Sequence, residues 1–358
     1  MKIFYVALKY DYGDAKRGYG FEHYNFYDSL VKMDSGRHKI LYFPFDEVIS
    51  EAGRDGMNKK LLDVVYKERP DLCFFLLFTD EIKQETIKEI TEKSGAITFN
   101  WFADDHWRFD NFSKHWAPLF HWVSTTDSKA PEKYYRIGYK NVIKTQWACN
   151  HFLYKPTTNN QQPITYQYDV SFVGQPHSNR RGIAEKLAEN GINIECWGKG
   201  WSNGRISQKK MIEIFSASKI NLNLSKSSNY LNIKSIARIF LSKRSDGKII
   251  FNNPKSWLDN FKSLLGHQRE QIKGRNFEIP GCRGFLLTGS ADNLTDYYKD
   301  GKEIVIFKDN KDMIEKIKYY SAHENEREKI ANAGYERTLK DHTYEKRFNE
   351  IFKIIGKL

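Results

Sequence analysis

The chain has 358 residues, of which 40% are hydrophobic and 15% aromatic, and a formal net charge of +12. This length suffices for two domains with separate cores, and no apolar stretch reaches the roughly 18 residues of a membrane-spanning helix. The positive charge predicts an anionic partner, namely a nucleotide diphosphate, an anionic glycan, a membrane surface or nucleic acid. A lysine-rich composition without functional meaning would give the same balance.

The cysteines are scattered without a close pair, so their spacing predicts neither a disulfide framework nor a zinc site. They are Cys73, Cys149, Cys196 and Cys282. We therefore expect a cytoplasmic protein. The apolar run at the N-terminus is too short for a signal peptide and predicts a first strand.

Apolar strands alternate with helical segments in the N-terminal half. The predicted strands are Ile3–Leu8, Lys39–Phe43, Leu72–Leu77, Ala96–Phe102 and Trp122–Thr125. The predicted helices are Phe26–Met33, Met57–Glu68 and Thr79–Ser94. This alternation indicates an α/β domain with a parallel sheet covered on both faces.

A polar stretch with two prolines follows, and its lack of periodicity predicts a linker over residues 155–168. The α/β pattern then restarts. The second set of elements comprises strands at Asp169–Val173, Asn193–Trp197, Ile220–Leu224, Phe285–Leu287 and Glu303–Phe307, and helices at Gly182–Asn190, Gln208–Ala217, Leu294–Tyr298, Lys311–Ala322, Glu326–Thr338 and Thr343–Ile355. We expect domains over residues 1–154 and 169–342. The intervening segment 225–268 does not fit this pattern and is either an insertion or a partner-binding loop.

Two carboxylates, Glu270 and Glu278, stand eight positions apart before a buried-looking strand. In a helix this spacing would put both on one broad face. Lys273 and Arg275 beside them suit a diphosphate, and a glutamate can hold the two hydroxyls of a ribose. The pattern predicts a nucleotide-sugar site, although an amphipathic helix with surface glutamates would look similar.

A strand–turn–helix unit offers a second phosphate site. Gly174 ends the strand and permits close approach of a phosphate, and Arg180 or Arg181 can neutralise it. Many strand-to-helix turns have this appearance, so the signal is weak alone.

Reactive groups also follow the fourth predicted strand, where open parallel sheets bind ligands. Asp104, Asp105 and His106 are candidates for proton transfer, and Arg108 lies beside them. The two acids lack the one-residue spacing of the usual metal-bound nucleotide site. The alternative is a structural aspartate that caps a turn.

The loop after the first strand is rich in glycine but lacks the dinucleotide-binding spacing. Gly18, Tyr19, Gly20 and His23 are candidates for holding an acceptor, and Glu22 is a further one.

The C-terminal half resembles the CgeB-like (spore-maturation) group of glycosyltransferases. The resemblance rests on Val173-Gly174, on the run from Arg275 to Cys282, on Gly301-Lys302-Glu303, on Ala333 to Arg337 and on His342-Thr343-Tyr344. Trp101 to His106 is similar to the domain that often precedes it. The resemblance implies the GT-B fold, in which two Rossmann-like domains face each other across a cleft and the second holds a nucleotide-sugar without a bound metal.

Further residue roles follow from the resemblance. Glu278 matches the acid that the wider superfamily uses on the ribose, and Lys273, Arg275 and Gly281 lie within the donor motif. Glu270 completes the acid spacing, at a position where the family often lacks an acid. The final helix, within 343–358, would cross back to the first domain.

The sequence therefore predicts a glycosyltransferase that uses a nucleotide-sugar donor, with a UDP-sugar favoured, and a glycan or other macromolecular acceptor. The positive charge leaves open a DNA-modifying enzyme that acts on a hydroxylated base. A non-catalytic nucleotide-sugar or glycan-binding module is the alternative from another class. The stereochemical outcome is open.

Overall fold

The computed structural model describes residues 1–157, 166–225, 233–243, 249–267 and 269–356. Residues 158–165 of the predicted linker therefore lie outside the described residues. The chain forms two compact units. The first unit comprises Met1–Gln146, Tyr230–His267 and Arg347–Leu358, and the second comprises Trp147–Asn229 and Gln268–Lys346.

The first unit is built on a six-stranded, fully parallel sheet. Its strands are β1 (Lys2–Ala7), β2 (Lys39–Pro44), β3 (Leu72–Phe75), β4 (Ile97–Phe102), β5 (Trp122–Thr125) and β6 (Val142–Lys144), in the order β2-β1-β3-β4-β5-β6. The five strands predicted in this half are confirmed. The sixth was missed because only three residues, with one buried side chain, form it.

Helices cover this sheet. They are α1 (Asp28–Lys32), α2 (Phe45–Glu68), α3 (Gln84–Lys93), α4 (Asp105–Arg108), α5 (Lys114–Trp116) and α6 (Ala130–Arg136). A π-helical turn, Glu22–Tyr27, precedes α1. Helix α2 is interrupted at Gly53, which has a φ of +70°, so the predicted helix Met57–Glu68 is its second part. Helix α3 begins later than predicted because the Glu81 carboxylate accepts hydrogen bonds from the backbone of Phe78 and Thr79 in a turn.

The second unit begins with the predicted strand–helix alternation. Its first elements are β7 (Tyr168–Val173), α7 (Arg180–Glu189), β8 (Ile194–Trp197), α8 (Gln208–Ala217) and β9 (Ser218–Asn223). Helix α8 has the predicted bounds because Ser207 accepts a hydrogen bond from the backbone N–H of Lys210 and caps its start.

Residues 233–267 belong to the first unit and contain four elements that the sequence did not predict. They are α9 (Ile233–Phe240), β10 (Leu241–Lys243), β11 (Ile249–Phe251) and α10 (Trp257–Gly266), with β10 and β11 forming an antiparallel pair. An ion pair of 2.7 Å between Lys114 Nζ and Asp259 Oδ2 ties α10 to α5.

The chain then completes the second sheet. The remaining elements are α11 (Arg275–Gly281), β12 (Leu286–Gly289), β13 (Val305–Phe307), α12 (Asn310–Ala322), α13 (Glu324–Asp341) and α14 (Tyr344–Ile354). The sheet is parallel, in the order β13-β12-β9-β7-β8. The predicted helix Leu294–Tyr298 is a 3-10 turn over Leu294–Asp296.

Each unit has its own core. In the first, side chains of β1, β3 and β4 pack against α2, α3 and α6. The C-terminal helix α14 contributes Phe348 to this unit, where its ring centroid lies 5.6 Å from those of Phe26 and Phe74. No helix in the described part of the chain is both long and apolar enough to cross a membrane.

A glycine in α13 makes a testable contribution to the second core. A Cβ on Gly334 would lie 2.3 Å from the carbonyl oxygen of Glu303. We therefore expect Gly334→Ala to lower the free energy of unfolding by about 1–3 kcal/mol, because backbone must move to admit the methyl group. Urea denaturation measures this change. The exposed Asn325→Ala on the same helix should stay within about 0.5 kcal/mol of the original chain, and equal stabilities would contradict the packing argument.

Candidate functional site

The carboxyl ends of β7, β9 and β12 meet at one edge of the second sheet, since the strands are parallel. Gly174 follows β7, and its N–H donates to the carbonyl of Trp197 over 2.8 Å. A Cβ on Gly198 would lie 2.5 Å from the Gly174 carbonyl oxygen, so the loops after β7 and β8 can approach only because residue 198 is glycine.

Arg180 lies at the same edge, in the first turn of α7. Its guanidinium donates to the carbonyls of Gln175, over 2.8 Å, and of Leu224, over 3.1 Å. It thereby holds together the loops that follow β7 and β9. Burial lowers the pKa of Arg180 from its usual value, so its cation is poorly solvated, and this favours an anionic neighbour.

The acid-rich segment differs from the predicted helix. Helix α11 begins at Arg275, so Glu270 precedes it by five residues and does not share a helical face with Glu278. The Glu270 carboxylate instead accepts a hydrogen bond of 2.6 Å from the hydroxyl of Ser290, in the loop after β12. Glu270 therefore lies at the carboxyl edge of the sheet, where the chain turns away from β12.

Glu278 is fully buried in α11 and is held from two sides. Tyr154 Oη donates to its Oε1 over 2.8 Å, and the Arg275 guanidinium pairs with its Oε2. Gln208 Nε2 in turn donates to Tyr154 Oη over 2.7 Å. The position of this carboxylate is thus fixed by three side chains from α8, α11 and the start of the second unit.

The charges around Glu278 act on its partners. Burial, reinforced by the Glu278 carboxylate, raises the pKa of Tyr154 well above its usual value, so the tyrosine stays a proton donor. Burial opposes the charge of Arg275, but attraction to Glu278 outweighs it and raises the pKa of the guanidinium. Arg275 is therefore ionised over the whole physiological range.

A buried polar network that the sequence reading missed supports the acid segment. Asn276 Oδ1 accepts from the backbone N–H of Lys273 over 2.9 Å and from the side chain of Asn223 over 3.2 Å. Asn223 and Asn276 both donate to the Thr288 hydroxyl, over 3.0 and 3.2 Å. These contacts join the start of α11 to the ends of β9 and β12. In the sequence, an asparagine or threonine at the carboxyl end of an apolar strand is the pattern that predicts such a network.

Gly281 has a packing role. A Cβ there would lie 2.3 Å from Cys149 Sγ, and residues 276–281 are all buried. Glycine therefore lets α11 lie directly against the segment that carries Tyr154. Its predicted contact with the donor stays a prediction.

In the first unit, the three residues predicted for proton transfer have different surroundings. Asp104 is partly exposed after β4. Asp105 is fully buried and accepts a hydrogen bond of 2.8 Å from Tyr134 Oη. His106 is buried, and its backbone carbonyl oxygen lies close to Gly266. A Cβ on Gly266 would be 2.4 Å from that oxygen. Only Asp104 among them has appreciable contact with solvent.

Burial raises the pKa of Asp105 to about 6. Hydrogen bonds from Ser113, Thr125 and Tyr134 oppose this shift, and the nearby Asp127 adds to it. The role of Asp105 in proton transfer stays a prediction.

The predicted acceptor residues lie at the carboxyl edge of the first sheet. The glycine-rich loop folds back on itself, with Gly20 N–H donating to the Lys9 carbonyl over 2.8 Å. The Tyr19 ring stacks on His23, with centroids 4.1 Å apart. Arg108 donates to the Phe78 carbonyl over 2.8 Å, in the loop after β3. The structure thus brings the loops after β1, β3 and β4 to a common edge.

Glu22, which the sequence offers only as a further candidate for holding an acceptor, also belongs to this edge. Burial raises its pKa to about 7, its own backbone opposes this shift, and the carboxylates of Asp11 and Asp46 add to it. A carboxyl group that titrates near neutrality is suited to proton transfer. No spacing in the sequence could reveal this shift, because its main cause is burial, to which acids from separate loops add.

Among the described residues, no group of three or more His, Cys, Asp and Glu side chains is arranged to hold a metal ion. The positive groups at the edge of the second sheet are arginine and lysine, whose charge can serve phosphate directly.

Comparison with known proteins agrees with this geometry. A family model described as "Glycosyl transferase-like" matches residues 180–240 and 243–353. Spore protein CgeB from Bacillus subtilis (strain 168) is 22% identical over 280 residues, which are 77% of this chain and 80% of that protein.

Solved glycosyltransferase structures share the fold. HepE from Anabaena, solved in complex with UDP-glucose, superposes with a TM-score of 0.57 at 10% identity over 100% of both chains. Sucrose-phosphate synthase from Thermosynechococcus elongatus superposes with a TM-score of 0.57 at 8% identity over 99% of both chains. At these identities, the superpositions support the fold alone.

The sheets, the family match and the structural likeness together define a glycosyltransferase with the GT-B fold. Within that class the chain is similar to the CgeB-like glycosyltransferases, and the resemblance seen in the sequence is confirmed.

The buried acid of the first unit gives a prediction about pH. Because the folded pKa of Asp105 is about 6 rather than 3.8, the folded chain binds this proton more tightly, so ionisation costs stability as pH rises through that range. Asp105→Asn keeps the shape and cannot ionise. As pH rises from about 4 to about 7, we expect the free energy of unfolding of this variant to increase relative to that of the original chain by up to about 3 kcal/mol.

Urea denaturation at several pH values measures that gain. The exposed Asp63→Asn serves as control and should show no such trend. A difference that is constant with pH would mean that Asp105 is not held in the interior.

Proposed function

We propose that this glycosyltransferase transfers a sugar from a UDP-sugar, bound by the second unit, to a hydroxyl of a carbohydrate acceptor bound by the first. The observation that carries the donor half is the fixed Glu278 carboxylate, held by Tyr154 and Arg275. The complex of HepE with UDP-glucose supports the choice of donor.

Glu278 is suited to the ribose of the donor. A carboxylate can accept hydrogen bonds from both hydroxyls of a ribose, and because Glu278 is fully buried, the bound donor must open the site to reach it. Because its position is fixed beforehand, little entropy is lost when the donor binds. Glu270, at the edge of the same sheet, is the proposed acceptor for a hydroxyl of the sugar.

The leaving diphosphate needs positive charge. We assign this role to Arg180, Lys273 and Arg275, and Gly174 would allow the backbone to approach the phosphates. The carbonyls bonded to Arg180 and the pairing of Arg275 fix these cations before the donor arrives. We propose that they offset the developing charge without a bound metal, so activity should persist in EDTA.

The acceptor half rests on aromatic surface at the edge of the first sheet. Tyr12 and Tyr19 are exposed by 62% and 43%, and His23 stacks on Tyr19. Flat rings of this kind bind the apolar faces of sugars, and their polar tips bind hydroxyls. A carbohydrate acceptor therefore fits this edge, with Gly18 and Gly20 giving the loop its shape.

For a reaction that inverts configuration, we assign the proton acceptor to Glu22. The acceptor hydroxyl loses its proton to the Glu22 carboxylate as its oxygen bonds to C1 of the sugar. The bond from C1 to the diphosphate oxygen breaks, and UDP leaves with the electron pair. Glu22 is only partly buried, and a carboxyl group with its raised pKa suits this step.

The donor assignment predicts that Glu278→Gln weakens UDP binding by about 1–3 kcal/mol, since an amide replaces two charged acceptors. A thermal-shift series with UDP, GDP, TDP, CDP and ADP, followed by their sugar conjugates, measures this. At about a hundred times the dissociation constant a ligand stabilises by roughly 2.7 kcal/mol, so the loss is visible.

Glu315→Ala, on the surface of α12, is the control and should bind UDP normally. Unchanged binding by Glu278→Gln would contradict the ribose assignment. A shift with another nucleotide only would replace UDP as the donor and leave the ribose assignment standing.

The acceptor assignment predicts a pH effect. Glu22 must be ionised to accept the proton, so turnover of the original chain should rise as pH passes through about 7. Glu22→Gln should lose this rise and lower kcat by about 100-fold or more, with little change in donor affinity. UDP release with a panel of oligosaccharides measures both, with the exposed Glu51→Gln as control. An unchanged pH profile would exclude Glu22 as the base.

A further inference from the structure

Residues 233–267 expose an unusual amount of apolar surface. Of the seventeen large hydrophobic side chains that are exposed in the described chain, nine lie here, with exposures of 37–85%. They are Ile236, Phe240, Ile249, Ile250, Phe251, Trp257, Leu258, Phe261 and Leu265. Single exposed apolar residues are ordinary, but a cluster of this density marks an interaction surface. We call these nine residues the apolar surface.

Helix α10 has two distinct faces. One holds it to the first unit through the ion pair of Asp259 with Lys114, a 3.3 Å hydrogen bond between Asn260 and Asn111, and buried Leu264. The other face carries exposed apolar side chains that stand three or four positions apart and so lie together. They are Trp257, Leu258, Phe261 and Leu265, and we call them the exposed stripe of α10. The helix is therefore anchored on one side while its apolar side is exposed.

The exposed stripe continues onto the neighbouring elements. The rings of Phe240, at the end of α9, and Trp257, at the start of α10, meet edge to face with centroids 4.9 Å apart. Strands β10 and β11 pair directly after α9, and Phe251, at the end of β11, is 85% exposed. Helix α9, the strand pair and α10 thus contribute to one surface.

Positive charge accompanies this surface. Among the described side chains of residues 233–267, Arg238, Lys255 and Lys262 are exposed, and Asp259 is paired with Lys114.

Apolar residues flanked by cations are what an anionic bilayer surface binds. Phenylalanine, tryptophan and leucine insert at the boundary between headgroups and acyl chains, while lysine and arginine meet the lipid phosphates. An apolar surface alone would fit a protein partner equally well. The concentration of positive charge favours the lipid surface.

We propose that residues 233–267 dock this glycosyltransferase on the surface of an anionic lipid bilayer. Phe251 and the exposed stripe of α10 enter the interface, and Arg238, Lys255 and Lys262 bind headgroup phosphates. This contact is peripheral, and it is separate from the residues assigned to the donor and the acceptor.

Sedimentation of the full chain with vesicles tests the proposal. Vesicles of phosphatidylcholine with equimolar phosphatidylglycerol should carry the protein down, and vesicles of phosphatidylcholine alone should not. High salt should weaken the association, because it screens the headgroup charge. Absence of binding to the anionic vesicles, or equal binding to both kinds, would overturn the proposal.

Two variants separate the apolar and cationic contributions. Phe251→Glu with Leu258→Glu should abolish vesicle binding, and Lys255→Gln with Lys262→Gln should lower it about thirtyfold, at about 1 kcal/mol for each cation. Ile354→Glu, at a 51% exposed position on α14, is the matched control and should bind normally. The second variant keeps the apolar surface intact, so it reports on charge even if the first folds poorly.

Two further measurements complete the test. The UDP-induced thermal shift should be the same in both variants and the original chain, which shows that the donor unit is intact. Light scattering without lipid should give the same mass for all. If the original chain self-associates and the variant with Phe251→Glu and Leu258→Glu does not, the apolar surface binds a second copy of the chain. That result would overturn the lipid assignment.

Discussion

The donor half of this enzyme depends on one buried charge pair. Glu278 cannot be ionised in the interior unless it is compensated, and Arg275 and Tyr154 supply that compensation from two directions. Because Tyr154 belongs to the start of the second unit and Gln208 to α8, the pair also fixes three separate elements to each other. Removing one partner would leave a buried charge alone, so the arrangement is maintained as a whole.

Neutral polar groups extend this rigidity to the edge of the sheet. Asn223, Asn276 and Thr288 satisfy one another where β9 and β12 end, and they hold the backbone of Lys273 at the start of α11. A fully satisfied buried network has one arrangement, which makes it a good base for a binding loop. Gly198 then permits a close backbone contact with Gly174, and Gly281 lets α11 approach the side chain of Cys149.

The sequence predicted the two α/β halves well because buried parallel strands are continuous apolar runs. It also identified Glu278 and Arg275 as a pair of interest. It failed where tertiary contacts decide. The expected helix through Glu270 does not form, since that residue instead bonds to Ser290. The sequence could not show that Asp105 lies buried against Tyr134, or that burial raises the pKa of Glu22, because both depend on the fold.

The charge of the chain carries a different meaning once its distribution is considered. From composition alone, +12 was equally compatible with nucleic acid, a glycan or a membrane. In the described residues from 233 to 267, Arg238, Lys255 and Lys262 are exposed together with nine apolar side chains. Recognition of the nucleic-acid backbone needs cations but little exposed aliphatic surface, whereas an interfacial segment needs both. The local combination therefore favours a lipid surface over DNA, a choice that net charge could not make.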